Sequence, residues 1–395
     1  MVSFVRNIIV SAGYSTLKLR KRSVHALSLS IHQVVLRFFF LLTSLPSRQH
    51  NISTSPLNPR SPLMPEPKDS APMPYSPDSP EAGLVAKNVR TCPNAKVPVS
   101  LAYHTMGDPA NPAILLINGL NANYLMYDDN FCGMLRDQGP LYVIRFDNRD
   151  CGYSTKMTHL GEPSLVKQLF PKCCCCCRVK PVYTLEDMAD DAVALLDYLK
   201  ISKAHILGTS MGGMIAQLVA IRHPARVLTL TSMKSTTGAP DLKPPGFGLQ
   251  LQLVKGPKKE NDLEKDIVHL GTWMVDVMWP TGSIKDPKCV DYSVQWLAGQ
   301  KRRANYDGGN ARQLTAIVQA ESRDTDLKGI RCPTLVLHGA EDRLVPLPHG
   351  KRTHECIMGS KFVVIEGMAH NFYLPFYPQM VDAILANCKR ATMSE

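Results

Sequence analysis

Ser210, Asp342 and His370 are three residues whose types and order in the chain suit one shared reaction. Ser210 is the centre of Gly208-Thr209-Ser210-Met211-Gly212. The apolar run Ala204–Leu207 precedes it and predicts a buried strand, and Met214–Ala220 follows with helical spacing and good helix formers. Strand, G-x-S-x-G, helix is the setting of a nucleophile elbow, in which a sharp, strained turn lifts a hydroxyl above the end of a sheet. Glycines on both sides are needed because any side chain there would collide with strand or helix. A serine hydroxyl is a poor nucleophile until a histidine accepts its proton, and that histidine needs a carboxylate to fix its tautomer and stabilise its charged form. Asp342, in Gly339-Ala340-Glu341-Asp342, directly follows one predicted strand, and His370, in Gly367-Met368-Ala369-His370, follows the last one. Each residue alone has a plainer reading: an incidental serine in a glycine-rich βα loop, a turn-forming aspartate, a histidine capping the next helix. Three of them just past the carboxyl ends of predicted parallel strands, in the order nucleophile, acid, base, outweigh those readings.

Two backbone amides complete the expected site. The Met211 amide, with a helix N-terminus behind it, faces the place where an oxyanion would form. A second donor belongs on the loop after the continuously apolar strand Ala113–Ile117, where Gly119 lets the backbone approach and the Leu120 amide is the candidate.

The elements that must position these residues alternate. Val99–His104, Ala113–Ile117, Leu141–Phe146, Ala204–Leu207, Val227–Ser232, Pro333–His338 and Lys361–Ile365 predict strands. Thr184-Leu185-Glu186-Asp187 carries a capping signature for a helix whose buried side is Met188, Val193, Leu195, Leu196 and Leu199. Between about Ser235 and Lys328 the alternation stops, and helical segments around Val275–Trp279, Ser293–Leu297 and Arg312–Val318 predict a cap inserted between two strands. The expected organisation is a leader and linker over 1–80, a first core part over 81–234 with an insertion at 170–181, a helical cap over 235–328, and a second core part over 329–395.

In order, Ile117-Asn118-Gly119-Leu120, Phe146-Asp147-Asn148-Arg149-Asp150-Cys151-Gly152-Tyr153-Ser154, Gly208–Met214, His338–Asp342 and Gly367–His370 resemble the α/β-hydrolase pattern. Within it the chain is most similar to the aclacinomycin methylesterase-like esterases, which share the D-x-R-D-x-G-x-S loop and a cap segment like Gly309-Asn310-Ala311-Arg312-Gln313. The resemblance covers roughly residues 84–390. It implies an α/β fold with a mostly parallel, doubly wound sheet and a helical cap, and a cofactor-free hydrolase with Ser210 as nucleophile, Asp342 as acid and His370 as base. It also implies that the Asp147–Ser154 loop is structural. Many relatives have His-Gly where this chain has Asn118-Gly119; because the donor there is a backbone amide, the oxyanion hole is expected to survive.

These residues predict cleavage of small-molecule carboxylic esters, of an apolar or aromatic kind, through an acyl-enzyme. Thioesterase, lipase and C–C hydrolase chemistry use the same triad and remain open, as does a non-catalytic binding protein that kept the fold. Phe247, Trp273, Trp279, Trp296, Tyr306, Phe372 and Tyr373 are candidates for a pocket lining or, equally, for the cap's own core.

The net charge of +11 does not argue for nucleic acid, because residues 1–65 hold eight Lys/Arg and no acid, which leaves the remainder at +3. An acid-free, Ser- and Arg-rich leader resembles a mitochondrial presequence, and its apolar run Val34–Leu45 is short for a bilayer span. A secretory signal, or translation starting at Met64 or Met73, are the competing readings; without an active presequence the protein would be cytoplasmic or membrane-associated. Prolines recurring from Pro56 to Pro80 beside Ser and Asp predict a disordered linker. The twelve cysteines include the unbroken run Cys173–Cys177. They form neither a disulfide framework nor a spaced metal-ligand set. Flanked by Lys172, Arg178 and Lys180, the run is a candidate for S-acylation, which would place the protein on a membrane without a transmembrane helix. A variable loop of no function is the alternative. Changing all five cysteines to serine should release a membrane-bound fraction and abolish incorporation of a palmitate analogue; identical partitioning with no incorporation in either form leaves only the variable loop.

Overall fold

Strands β1 (Leu84–Cys92), β2 (Val97–Met106), β3 (Ala113–Ile117), β4 (Tyr142–Phe146), β5 (Ala204–Thr209), β6 (Val227–Met233), β7 (Thr334–Gly339) and β8 (Lys361–Ile365) form one sheet in the order 1-2-4-3-5-6-7-8. The computed structural model describes residues 82–92, 97–163, 179–249, 260–304 and 308–391, together with 252, 257 and 306. The leader and linker over 1–80 and the Cys173–Cys177 run lie outside the described residues. β1 and β2 are antiparallel to their neighbours, and β4 through β8 pair in parallel. The expected mostly parallel, doubly wound sheet is therefore present.

The apolar patterning dictates two cores. In β3 every residue is buried, with Ala113, Leu115 and Ile117 in one core and Ile114 and Leu116 in the other. That division is what a strand covered on both faces requires. Helices α1 (Asp129–Gln138) and α9 (Tyr377–Lys389) cover the second face, while α2 (Leu185–Tyr198) and α3 (Met211–Arg222) cover the first. The Thr184–Asp187 capping box forms as expected at the start of α2. α3 is buried from Met211 to Ala220, so it has no polar face to turn outward.

Between β6 and β7 lie α4 (Leu263–Met278), α5 (Pro287–Arg303), α6 (Asn310–Gln319) and the short α7 (Asp324–Leu327). Their own apolar clusters are small, and Ala316 of α6 belongs to the main core. α8 (Leu347–Cys356) connects β7 to β8. No helix among the described residues is long and apolar enough to cross a membrane.

The Asp147–Ser154 loop joins these layers through buried charges. Arg149 forms a double hydrogen bond with Asp191 of α2, both at 2.6 Å. Asp150 receives Arg312 of α6 at 2.7 and 3.0 Å, and Asp147 receives Arg303 of α5 at 2.8 Å. Arg312 and Asp150 are essentially fully buried, so each compensates a charge that water no longer solvates. Asp150→Asn should cost roughly 3–5 kcal/mol in urea unfolding because it leaves the Arg312 guanidinium buried without a countercharge. The double variant Asp150→Asn/Arg312→Met should lose less than that. Equal midpoints for wild type and Asp150→Asn would show that the pair contributes nothing to stability.

Candidate active site

β3 leads to β4 on one side of the sheet and β5 leads to β6 on the other, so the loops leaving β3 and β5 diverge. Crevices at such switch points, beyond the carboxyl ends of the strands, are where open α/β sheets bind ligands. Asn118–Leu120 and Ser210–Met211 flank this one. Ser210 has φ 58° and ψ −120°, a left-handed backbone that is unusual outside glycine. Its N–H donates to the Met233 carbonyl at 3.0 Å, and its own carbonyl accepts from the Ser235 hydroxyl at 2.7 Å. A Cβ at Gly208 would overlap the Gly212 carbonyl, and one at Gly212 would overlap the Ile117 carbonyl. The two glycines thus let strand, helix and the β3 loop meet. The Tyr127 hydroxyl ties both strands from below, bonded to the Ile117 carbonyl at 3.0 Å and the Thr209 hydroxyl at 2.9 Å. The Ser210 Oγ is half-buried and makes no hydrogen bond among the described residues.

Asp342 and His370 are brought together: Nδ1 of His370 lies 2.7 Å from Oδ2 of Asp342. With a carboxylate there, Nδ1 carries the proton and Nε2 keeps the lone pair, the tautomer a general base needs. The other oxygen of Asp342 accepts the amides of Leu344 at 3.0 Å and Val345 at 2.8 Å. Burial pushes the Asp342 carboxyl up, but His370, His338 and the Val345 amide outweigh it and hold it below the ordinary carboxylate value. The carboxylate therefore stays charged at neutral pH. His338, fully buried with Nε2 3.7 Å from Oδ2 of Asp342, is held below its ordinary value by burial and bonds to the Val345 carbonyl at 2.7 Å.

Met211 opens α3, and Leu120 packs against Ala311 and Leu314 of α6. Neither amide nitrogen has a hydrogen-bond partner among the described residues, which leaves both available to an oxyanion. Asn118 fixes the loop between them: its side-chain nitrogen donates to the Phe146 carbonyl at 2.6 Å and its carbonyl accepts from Asn148 at 3.1 Å. Among the described residues, no group of three or more His, Cys, Asp or Glu is placed to hold a metal.

The inserted helices reach the loops of Asp342 and His370 through the carboxyl end of α4. The His370 amide donates to the Met278 carbonyl at 2.9 Å, and Arg343 donates to the carbonyls of Asp276 at 2.5 Å and Trp279 at 3.1 Å. These carbonyls have no partner within the helix, and a cation at a helix C-terminus also suits its dipole. Among the aromatic candidates, Trp279 and Tyr373 pack at 4.7 Å between ring centres, with Tyr292 beside them, and Phe372 meets Tyr127 and Phe131 of the core edge-to-face. Trp279, Tyr292 and Tyr373 join the inserted helices to the loop after β8. Phe247 is exposed, while Tyr306 contacts Lys156 and Arg312. Lys234, Ser235, Tyr127 and Arg343 are site contacts that no spacing pattern singled out. Asp342→Asn should keep the fold but present the wrong tautomer of His370, lowering kcat by about 10⁴-fold; a loss under tenfold in a steady-state assay would contradict that role.

A model of the alpha/beta hydrolase fold matches residues 112–377. A rhodomycin D methylesterase from Streptomyces sp. (strain C5) is 29% identical over 315 residues, covering 75% of this chain and 97% of that protein. A 3-oxoadipate enol-lactonase from Acinetobacter baylyi is 26% identical over 269 residues, covering 68% of this chain and 85% of that protein. Among solved structures, a thermophilic esterase from Thermogutta terrifontis superposes with a TM-score of 0.54 at 20% identity, over 78% of this chain and 99% of that one. With its family model, its switch-point elbow and its sheet in agreement, this chain belongs to the alpha/beta hydrolase fold family.

Proposed function

We propose that the protein hydrolyses small-molecule carboxylic esters through an acyl-enzyme on Ser210. The observation that carries this reading is the left-handed Ser210 at the switch point, with the His370–Asp342 pair on the loops after β8 and β7. As His370 Nε2 takes the proton, Ser210 Oγ attacks the ester carbonyl carbon, and the amides of Leu120 and Met211 receive the developing oxyanion. Collapse breaks the bond to the alcohol, which leaves with the proton from His370. A water, deprotonated by the same nitrogen, then attacks the acyl-enzyme and releases the acid and Ser210. The hydrogen bond from Ser210 to His370 is left for the bound state to close, as is common for catalytic contacts in unliganded sites.

Two relatives are named as methylesterases, which makes methyl esters the first substrates to test. The rings at Trp279, Phe372 and Tyr373 are occupied in packing, so they do not argue for an aromatic substrate. A 2-hydroxy-6-oxononadienedioate hydrolase is also similar, over 45% of this chain, and C–C cleavage by the same residues is the second reading. Ser210→Ala should reduce turnover of p-nitrophenyl acetate by roughly 10⁴-fold or more and abolish labelling by a fluorophosphonate probe, with the far-UV spectrum unchanged. Retained turnover would sink the proposal. Labelling of wild type with no turnover across ester, thioester and C–C substrates would favour a binding protein.

A further inference from the structure

β6 delivers three consecutive residues to the site. The Met233 carbonyl accepts the Ser210 amide, and Ser235 donates to the Ser210 carbonyl. Lys234, between them, turns the other way. Its side chain is fully buried, and its Nζ donates to the Asn371 carbonyl at 2.9 Å and the His370 carbonyl at 3.4 Å. The same nitrogen sits 4.0 Å from the centre of the Phe372 ring. Lys234 itself has φ 48°, and its amide is anchored on the Leu337 carbonyl at 2.8 Å. One short segment thus grips the backbone of the nucleophile on one side and the backbone of the base on the other.

We propose that Lys234 is a positioning residue that sets the reach between Ser210 and His370 by clamping the carbonyls of His370 and Asn371. The inference rests on the triad reading given above. A buried ammonium is costly, and no carboxylate forms an ion pair with this one among the described residues. Burial lowers its pKa to about 7, against the opposing pull of Asp342, the charged group that acts on it. A neutral amine still carries two N–H groups for two carbonyls, so the clamp holds in either protonation state. In the charged form the Phe372 ring, 4.0 Å from Nζ, offers its face to the ammonium. Without the clamp, the hydrogen bond from the His370 amide to Met278 remains, and a shift of about 1 Å at a reacting group costs on the order of a hundredfold in rate.

The test compares Lys234→Met, which keeps length and packing but no donor, with Lys234→Gln, which keeps a donor without the charge. Each is assayed for kcat, KM, pH dependence and the rate of fluorophosphonate labelling. Lys234→Met should lower kcat and the labelling rate by roughly tenfold to a hundredfold with KM within twofold. Lys234→Gln should recover part of that loss, and wild-type kcat should not fall as the pH rises from 7 to 9. Folded Lys234→Met with wild-type kcat and labelling overturns the clamp. So does a Lys234→Gln no better than Lys234→Met, or a wild-type kcat that falls over that range while the Gln variant's does not, since either assigns the effect to packing or charge. If Lys234→Met does not fold, a folded Lys234→Gln with lowered kcat and labelling rate at a KM within twofold supports the clamp, and one with wild-type values overturns it. Failure of wild type to be labelled would instead count against the triad itself.

Discussion

The strained backbone of Ser210 is the constraint on which the rest of the structure depends. A non-glycine residue held at φ 58° and ψ −120° costs on the order of 1–3 kcal/mol and persists only when its surroundings over-determine it. Here the surroundings do so from every side. Strand β5 pairs with both β3 and β6, and α3 starts on the next residue and is buried along most of its length. Gly208 and Gly212 leave the contact distances that this turn needs, and Tyr127 and Ser235 fasten it below and beside. Relaxing the turn would cost the packing of the central helix, which far exceeds the strain stored.

The inserted helices complete the loops of the site. α5 and α6 hold the loop after β3: Gln313 accepts the Asn121 amide at 2.8 Å, the Gln300 carbonyl accepts from Asn123 at 2.8 Å, and Trp296 donates to the Met126 carbonyl at 3.2 Å. α4 holds the loops after β7 and β8 through Arg343 and His370. Beneath them the Asp147–Ser154 loop distributes its charges, with Arg149 facing α2 and Asp147 and Asp150 facing the inserted helices. Its carboxylates also take backbone amides, Asp147 from Tyr124 and Tyr153 and Asp150 from Met157. All three charged side chains of this loop are thus engaged within the protein.

The frame was legible wherever burial left a simple period. β3, β5 and β7 are short apolar runs because both faces are covered, and Ser210 and Asp342 stand out because each follows such a run, while His370 follows the apolar but only half-buried β8. β1 was missed because its register shifts between Ala86 and Arg90, with Asn88 at φ 51°, which breaks the alternation that marks a strand. α8 was missed because only Gly350, Thr353 and Cys356 of it are buried, so it shows no apolar stripe. α1 carries Asn130 and Gly133, both weak helix formers, and its start is signalled mainly by the Asp128 cap. Lys234 was illegible for a different reason. A lysine after a strand reads as a solvated loop residue, and only the fold reveals that its side chain ends on the carbonyls of His370 and Asn371.

The carboxyl end of α4 has a consequence for how this scaffold can be divided. Its last carbonyls are hydrogen-bonded by the amide of His370 and the guanidinium of Arg343, so the main chain of the inserted segment satisfies donors that belong to the hydrolase body. Recombination between homologous chains is therefore not free at the boundaries of the insertion. A transplanted insertion that ends the helix equivalent to α4 one turn early or late would leave a buried amide on His370 without an acceptor. In this protein the inserted segment and the body of the sheet share a bond, and each inherits the other's register.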